Sequence, residues 1–320
     1  MELVRLETLS PRAWPAPAVT VGNFDGVHRG HQVLVAAAVR AARASGGTGV
    51  VLTFDPHPGR VLSPERAPTA LMTLEQKAEV LAGLGVDYLA ALPFTLELSR
   101  ETPEEFARHV LQKALGSCLV VVGNNFRFGH GRAGDLAELK RLGAALGFRV
   151  EGLEPVWHEG APISTTRIRE ALARGAVEAA RDLLGRRFAV EGTVVQGKGR
   201  GRTLGIPTAN LRPENETLPR AGVYACWCRL GAAGGEGRPA VVNLGRRPTF
   251  GGGETTLEAH ILDFEGDLYG ARLRVEFAVR LREERRFAGA ESLLEQVRLD
   301  IGEARRVLGG ARGEAPKNTV

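Results

Sequence analysis

The sequence predicts two domains of different class: an α/β domain with a doubly wound parallel sheet, then a small antiparallel β-barrel with a C-terminal helix. Three observations lead there. Over about residues 19–153, short Val- and Leu-rich runs alternate with amphipathic stretches, as strand–helix–strand units around a parallel sheet do. After Gly185 the pattern changes to short runs of period two between Gly- and Pro-rich turns, as half-buried antiparallel strands require. The chain has 320 residues, enough for two cores at roughly 100–200 residues per domain. The expected domains are 1–185 and 186–309, followed by a flexible tail at 310–320.

In the first half, Val19–Phe24, Val50–Phe54, Tyr88–Leu92 and Leu119–Val122 read as buried strands. Helical patterns fall at about 31–45, 74–84, 103–115 and 134–146. The third has a clear start: Thr102 can cap it, Pro103 suits the first helical position, and Glu104 and Glu105 favour the positive end. A helical stretch at about 166–184 closes this half. In the second half, Phe188–Val195, Val223–Arg229, Ala240–Leu244, Leu257–Leu262 and Leu273–Leu281 are strand candidates. In the last of these, Leu273, Val275, Phe277, Val279 and Leu281 alternate with mostly polar residues. Five or six such strands in about 100 residues suggest a small barrel. Residues 290–308 read as a helix with Leu293, Leu294, Val297 and Ile301 on one stripe.

Composition sets limits on function. With 25% charged and 43% hydrophobic residues, the chain is of ordinary globular type, not collagen, coiled coil or disordered polymer. No apolar run approaches the roughly 18 residues of a membrane span, and the N-terminus lacks the apolar core of a signal peptide. Cys118, Cys226 and Cys228 cannot all pair internally and form no C-x-x-C, which points to a reducing cytoplasm. The formal charge is +5, but residues 1–185 carry 20 Lys+Arg against 20 Asp+Glu. The excess, 22 against 17, lies in residues 186–320. Spread in this way it suits a solvated surface or a phosphorylated small molecule better than a polynucleotide track.

The first strand runs into Gly22-Asn23-Phe24-Asp25-Gly26-Val27-His28-Arg29-Gly30-His31, where a helix begins. A strand, a Gly-containing turn and a helix N-terminus together offer free N–H groups and a positive dipole end to an anion. His28 and His31 share a face of the first helical turn and suit a triphosphate and its departing pyrophosphate. The same spacing suits a cap with two surface histidines, or a metal pair. There is no G-x-G-x-x-G and no Walker A motif, so hydride transfer and P-loop chemistry are not favoured. Two further segments reach the ligand edge of the sheet. Val122-Gly123-Asn124-Asn125-Phe126-Arg127-Phe128-Gly129 leaves the fourth strand, and Ile163-Ser164-Thr165-Thr166-Arg167-Ile168-Arg169 opens the last helix. An isolated hydroxyl at a helix start is ordinarily a structural cap.

These segments resemble the N-terminal FMN adenylyltransferase module of prokaryotic bifunctional FAD synthetases, within the HxGH nucleotidylyltransferase superfamily. The resemblance implies that His28 and His31 bind the ATP phosphates and that Ser164, Thr165, Arg167 and Arg169 grip them from the other side. Asn23, Asp25 and Asn125 would line the nucleotide site. The segment Phe54-Asp55-Pro56-His57-Pro58 is similar to the family stretch near FMN, which implies flavin contacts for His57 and Pro58; read alone, it is also a rigid turn. An FMN phosphate oxygen would attack the α-phosphorus of ATP, chemistry that rests on positioning and electrostatics and requires no carboxylate base.

In the second half, Gln196 to Asn210 alternates Gly with bases before a P-T-A-N run. Such a loop can wrap phosphates or contact RNA. Thr208 and Asn210 offer hard oxygen ligands suited to Mg²⁺ held together with nucleotide phosphates. Glu258 interrupts an apolar strand and, by periodicity, belongs on a solvent face with His260 or serves as an ion-pair partner. The segments G-x-x-R-G-R-x-L-G-I-P-T-A-N, N-x-G-x-x-P-T-F and E-x-H-I-L-D-F-x-G-D-L-Y-G resemble riboflavin kinase, a six-stranded antiparallel barrel. That resemblance implies Glu258 as the base for the ribityl hydroxyl and Thr208 and Asn210 as partners of Mg²⁺ and ATP. Gly197, Lys198, Gly199, Arg200 and Arg202 would form the ATP loop, and Arg282, Glu284 and Phe287 would cover the flavin. Cys226 and Cys228 share one strand face, which packing explains.

The resemblance spans about residues 18–305 and implies riboflavin, FMN, FAD and ATP as ligands, Mg²⁺ as metal, and neither nucleic acid nor membrane as partner. Nothing in the motifs specifies an oligomeric state. Two other readings stand beside it: a kinase whose first half only binds nucleotide, and an RNA-binding protein using the 197–202 loop.

Overall fold

A computed structural model of the chain describes residues 1–7, 9–197, 205–231, 236–247 and 254–309. The chain divides into two compact units. The first comprises Met1–Thr69 and Leu74–Ile163; the second comprises Ala70–Thr73 and the described residues from Ser164 onward.

In the first unit six parallel strands lie in the order β1-β4-β3-β2-β5-β6. They are β1 (Glu2–Arg5), β2 (Ala18–Val21), β3 (Gly49–Phe54), β4 (Tyr88–Leu92), β5 (Leu119–Gly123) and β6 (Arg149–Leu153). Every residue of β2 is buried, because both faces of the sheet are covered. Helix α1 (Arg29–Ala44) packs Ala37, Ala38 and Ala42 onto Ala18, Leu119 and Val121. On the other face lie Phe106, Val110 and Leu111, with Leu139 and Leu142 of α5 (Leu136–Leu146), against Val19, Val21, Leu52 and Val120. The sheet is therefore doubly wound. Because β2 pairs with β3 on one side and β5 on the other, the strand order reverses there, and a ligand crevice is expected at the carboxyl ends of these strands.

Helix α2 (Pro58–Leu62), α3 (Leu74–Gly83) and a short hairpin, β7 (Trp157–His158) with β8 (Ala161–Pro162), complete this unit. At α4 (Pro103–Phe106) the expected start is present as a full capping box: Thr102 Oγ1 accepts from Glu105 N at 3.2 Å, and Glu105 Oε2 accepts from Thr102 N at 2.8 Å. The helix then widens into a π-helical run, Ala107–Ala114.

Several elements differ from the sequence expectation. The first strand ends at Val21, not Phe24, because Phe24 takes a left-handed conformation (φ 46°) and turns the chain back. Strands β1 and β6 were not expected. Both are edge strands whose sequences, ELVR and RVEGL, are partly exposed and carry no apolar run.

The second unit is a closed antiparallel barrel, ordered β10-β13-β12-β11-β14-β9. Its strands are β9 (Phe188–Val195), β10 (Ala209–Pro213), β11 (Gly222–Leu230), β12 (Arg238–Arg247), β13 (Glu254–Ile261) and β14 (Arg272–Arg282). Strand β10 begins within the P-T-A-N segment and runs past it, and of its residues only Leu211 is fully buried, so its apolar signal is a single residue. The expected 166–184 helix is two helices, α6 (Thr165–Arg174) and α7 (Val177–Leu184), parted at Gly175 (φ 76°). Both belong to the second unit: Arg220 N donates to Leu172 O at 2.8 Å, and a Cβ at Gly175 would meet the Arg280 side chain at 2.8 Å.

Helix α8 (Ala290–Gly309) lays Ala304 and Leu308 on Val223, Ala225, Val241 and Ala278. That contact identifies the outer barrel face, and period two sends the alternate residues inward. Tyr224, Cys226 and Phe277 fill the interior, with the Tyr224 and Phe277 rings edge to face at 5.1 Å. Burial pushes the Cys228 thiol up to about 12, and that of Cys226 well above its ordinary value. These thiols are packing groups, as the strand pattern implied.

Candidate active sites

The first site is assembled on the turn after β2. Three consecutive-turn residues have left-handed backbone: Phe24 (φ 46°), Gly26 (φ 76°) and Val27 (φ 39°). For a bulky or β-branched residue this is strained, and such strain persists only where surrounding contacts over-determine it. Here Phe24 and Val27 are fully buried, and the Phe24 ring meets His31 edge on at 5.1 Å. The turn delivers His28 to the N-cap of α1, where its Nδ1 accepts from His31 N at 3.3 Å. With Nδ1 accepting, the neutral ring carries its proton on Nε2. The His28 and His31 rings stack at 3.6 Å. A Cβ at Gly30 would stand 3.2 Å from the His28 ring, so the glycine leaves that ring its place without a shift.

Asp25 is 7% exposed. The Asn23 side-chain amide lies 3.1 Å from His57 Nε2, and His57 Nδ1 accepts from Gly59 N at 3.0 Å, capping α2. Pro58 is the first residue of that helix. The structure thus joins the Asn23 turn to the His57 loop. Asn125 is exposed at the end of β5, with its Oδ1 3.0 Å from where a Cβ of Gly123 would stand. Arg127 pairs with Asp135 at 3.2 Å. Ser164 caps α6 by accepting from Arg167 N at 3.4 Å, so Thr165, Arg167 and Arg169 occupy its first turns in the second unit.

Sequence reasoning missed Lys77. It is 8% exposed, donating to Asn23 O at 2.8 Å and to Thr53 Oγ1 at 3.0 Å. Burial holds its ammonium below the ordinary lysine value, against the opposing pull of Asp25 and Asp55. A signal was present: Leu74, Lys77 and Leu81 share one face of α3, so a cation sits on an apolar stripe.

The second site lies on the outer face of the barrel. Asn210 of β10 pairs in register with Glu258 of β13, and Glu258 pairs with Asn243 of β12. Val241 packs under α8 on the outer face, and Asn243, two residues on, shares that face. Glu258 and Asn210 therefore also project outward, as periodicity required for Glu258. His260 Nδ1 lies 2.8 Å from Pro207 O, tying β13 to the start of the P-T-A-N run. A Cβ at Gly197 would meet Asn210 Nδ2 at 2.2 Å, and one at Gly245 would meet Glu284 Oε1 at 2.3 Å. Gly197, Asn210, Glu258, Asn243, Gly245 and Glu284 are thus brought to one patch, and Thr208 is half-buried just before β10.

Arg282 is held differently from Glu284. Its guanidinium grips Asp300 of α8 with both oxygens, Nε to Oδ1 at 2.9 Å and Nη2 to Oδ2 at 2.7 Å, and lies 5.7 Å from the Phe287 ring centre. Lys198, Gly199, Arg200 and Arg202, and the tail from 310, lie outside the described residues.

Two family models match the chain, FAD synthetase over residues 10–167 and riboflavin kinase over 184–308. The bifunctional riboflavin kinase/FMN adenylyltransferase of Pseudomonas fluorescens is 40% identical over 307 residues, spanning 95% of this chain and 97% of that protein. Its counterpart in Escherichia coli (strain K12) is 37% identical, with 97% and 98% covered. A crystal structure described as a macrolide-efflux protein from Streptococcus pneumoniae superposes with a TM-score of 0.87 at 31% identity, covering 95% of this chain and 98% of that one. Among the described residues here, no helix is long and apolar enough to cross a membrane.

Proposed function

The chain belongs to the bifunctional riboflavin kinase/FMN adenylyltransferase family, and from that premise we propose how its residues divide the two reactions. The C-terminal domain phosphorylates riboflavin to FMN, and the N-terminal domain adenylylates FMN to FAD with release of pyrophosphate. We propose residues 1–185 and 186–309 as the two functional modules, with ATP as the nucleotide bound in each.

For the kinase, one observation carries the residue assignment: Glu258 stands in register between Asn210 and Asn243 on an accessible outer face. In this reading the Glu258 carboxylate accepts the proton of the ribityl hydroxyl as its oxygen attacks the γ-phosphorus. Glu284, Phe287 and Arg282 bound the flavin side, with Gly197, Lys198, Gly199, Arg200 and Arg202 on the ATP side. Two amides flanking a carboxylate in register suit the task, because amide N–H groups can orient a carboxylate that stays only half-buried.

Thr208 and Asn210 present a hydroxyl and an amide oxygen, a donor set that fits Mg²⁺ shared with nucleotide phosphates. Among the described residues there is no group of three or more His, Cys, Asp or Glu to form a cage of its own. When bound, Mg²⁺ supplies charge neutralisation on the phosphates.

For the adenylyltransferase, His28 offers Nε2–H and His31 stacks on it at the N-terminus of α1. In this reading the pair stabilises charge developing on pyrophosphate as an FMN phosphate oxygen attacks the α-phosphorus. By the resemblance of their segments, Ser164, Thr165, Arg167 and Arg169 are assigned to ATP phosphate, Asn23, Asp25 and Asn125 to the nucleotide, and His57 and Pro58 to FMN. The free thiols and the nucleotide substrate favour a cytoplasmic location.

A time course with riboflavin, excess ATP and Mg²⁺ tests the whole reading. FMN appears first and FAD follows, and chelation of the metal stops both steps. FMN without FAD would remove the proposed N-terminal chemistry.

A further inference from the structure

Lys77 carries a charge into the interior of the first unit, and its contacts converge on one atom. Its Nζ donates to the Asn23 carbonyl at 2.8 Å, and the buried Thr53 hydroxyl donates to the same oxygen at 3.1 Å. Lys77 and Thr53 are themselves joined at 3.0 Å. Three elements meet there: the turn after β2, the last residues of β3, and the first turn of α3. At the other end of the same residue, the Asn23 side chain faces His57 at 3.1 Å.

Two physical arguments give this arrangement a purpose. Burying an ammonium whose hydrogen bonds go to neutral oxygens costs more than the attraction of Asp25 and Asp55 returns, and an apolar side chain would fill this position on the α3 stripe without that cost. Meanwhile the turn it grips is strained at Phe24 and Val27, and strain of that kind needs a brace. The lysine is the brace.

We propose that Lys77 is a positioning residue for FMN adenylylation: by pinning the Asn23 carbonyl it holds the strained Gly22–Val27 turn in register with the His57 loop. The two segments assigned to nucleotide and to flavin are thereby kept at the separation that in-line attack requires. The inference rests on that assignment of Asn23, Asp25 and His57.

The test uses the full chain carrying Lys77→Met, which keeps volume and removes the charge. Single-turnover FAD formation, with enzyme in excess over FMN, gives a rate constant per active molecule and an amplitude for the active fraction. The rate constant is expected to fall about tenfold to a hundredfold, with the amplitude kept, since small misplacements of reactants cost that much. FMN formation from riboflavin by the same protein stays unchanged. Thr53→Val gives a smaller loss, and the double variant is non-additive because both act on one carbonyl.

A rate constant within about twofold of the unaltered chain, whatever the amplitude, overturns the proposal, since a lysine that only stabilises the fold lowers amplitude alone. Failure of the underlying assignment reads out separately: His57→Ala would leave the FMN concentration dependence unaltered.

Discussion

Asn210 and Glu258 face each other directly across the β10–β13 ladder, and Asn243 takes the corresponding place on β12. In sequence these three residues are 33 and 15 positions apart; antiparallel register alone makes them one row. That row sits on the outer barrel face, which explains how a carboxylate inside an apolar strand avoids a costly burial.

Removal of the carboxylate isolates the first reaction. Glu258→Ala is expected to lower FMN formation from riboflavin by about 10²–10⁴-fold, the usual contribution of a positioned general base. FAD formation from supplied FMN stays at the level of the unaltered chain. Chromatographic separation of the three flavins reads both at once.

His28 separates chemistry from folding in the opposite half. His28→Ala removes both the Nε2 donor and the N-cap of α1, so FAD formation falls about 10²–10³-fold and stability by about 1 kcal/mol. His28→Asn restores the cap but not the imidazole. Thermal unfolding then recovers while FAD formation does not, and FMN formation is unaffected by either change.

The Glu284 carboxylate rests over Gly245, 2.3 Å from where a Cβ would stand, so it must shift if a side chain is added there. Gly245→Ala is expected to displace Glu284 and lower riboflavin phosphorylation about tenfold. Adenylylation of supplied FMN is the internal control and remains unchanged.

Asp300 holds Arg282, a residue we assign to the flavin side. It is 5% exposed, grips Arg282 with both oxygens and accepts from Gln296 Nε2 at 2.7 Å. Asp300→Ala leaves a largely buried guanidinium without its carboxylate, with an expected loss of about 3 kcal/mol. Urea denaturation of the variant checks it.

Asp87 gives a pH signature in the first unit. The Arg43 guanidinium, bound at 2.7 and 2.8 Å, holds the Asp87 carboxyl below its ordinary value, with Gly49 N–H adding to that effect and burial opposing it. A carboxyl lowered by folding contributes stability above its unfolded value of 3.8, and that stability is lost as pH falls through the folded value. The melting difference between the unaltered chain and Asp87→Asn should therefore hold steady from neutral pH down to about pH 5 and shrink below about pH 4.

Much of this architecture was legible in residue order. The central strand Tyr88–Leu92 matches its apolar run, because a strand with two neighbours and two covered faces is apolar nearly throughout, and Phe188–Val195 keeps its predicted bounds although Glu191 and Thr193 interrupt its apolar residues. Edge strands β1 and β6 escaped for the converse reason: with one neighbour they tolerate exposed Glu2, Arg149 and Glu151. The 166–184 helix broke at Gly175 because a left-handed residue ends a helix, and its glycine is common enough not to announce the break.

By itself the sequence determined two domain classes, the cap at Thr102, and the polar segments to which we assign the chemistry, because these depend on short-range periodicity and local hydrogen bonding. Only the tertiary structure decided the rest. It set Asn210 against Glu258, laid Glu284 over Gly245, packed α6 and α7 with the barrel, and turned Lys77 inward onto the Asn23 carbonyl. Each of those is a long-range pairing, settled by strand register and by which face an element buries, and neither is encoded in any one segment.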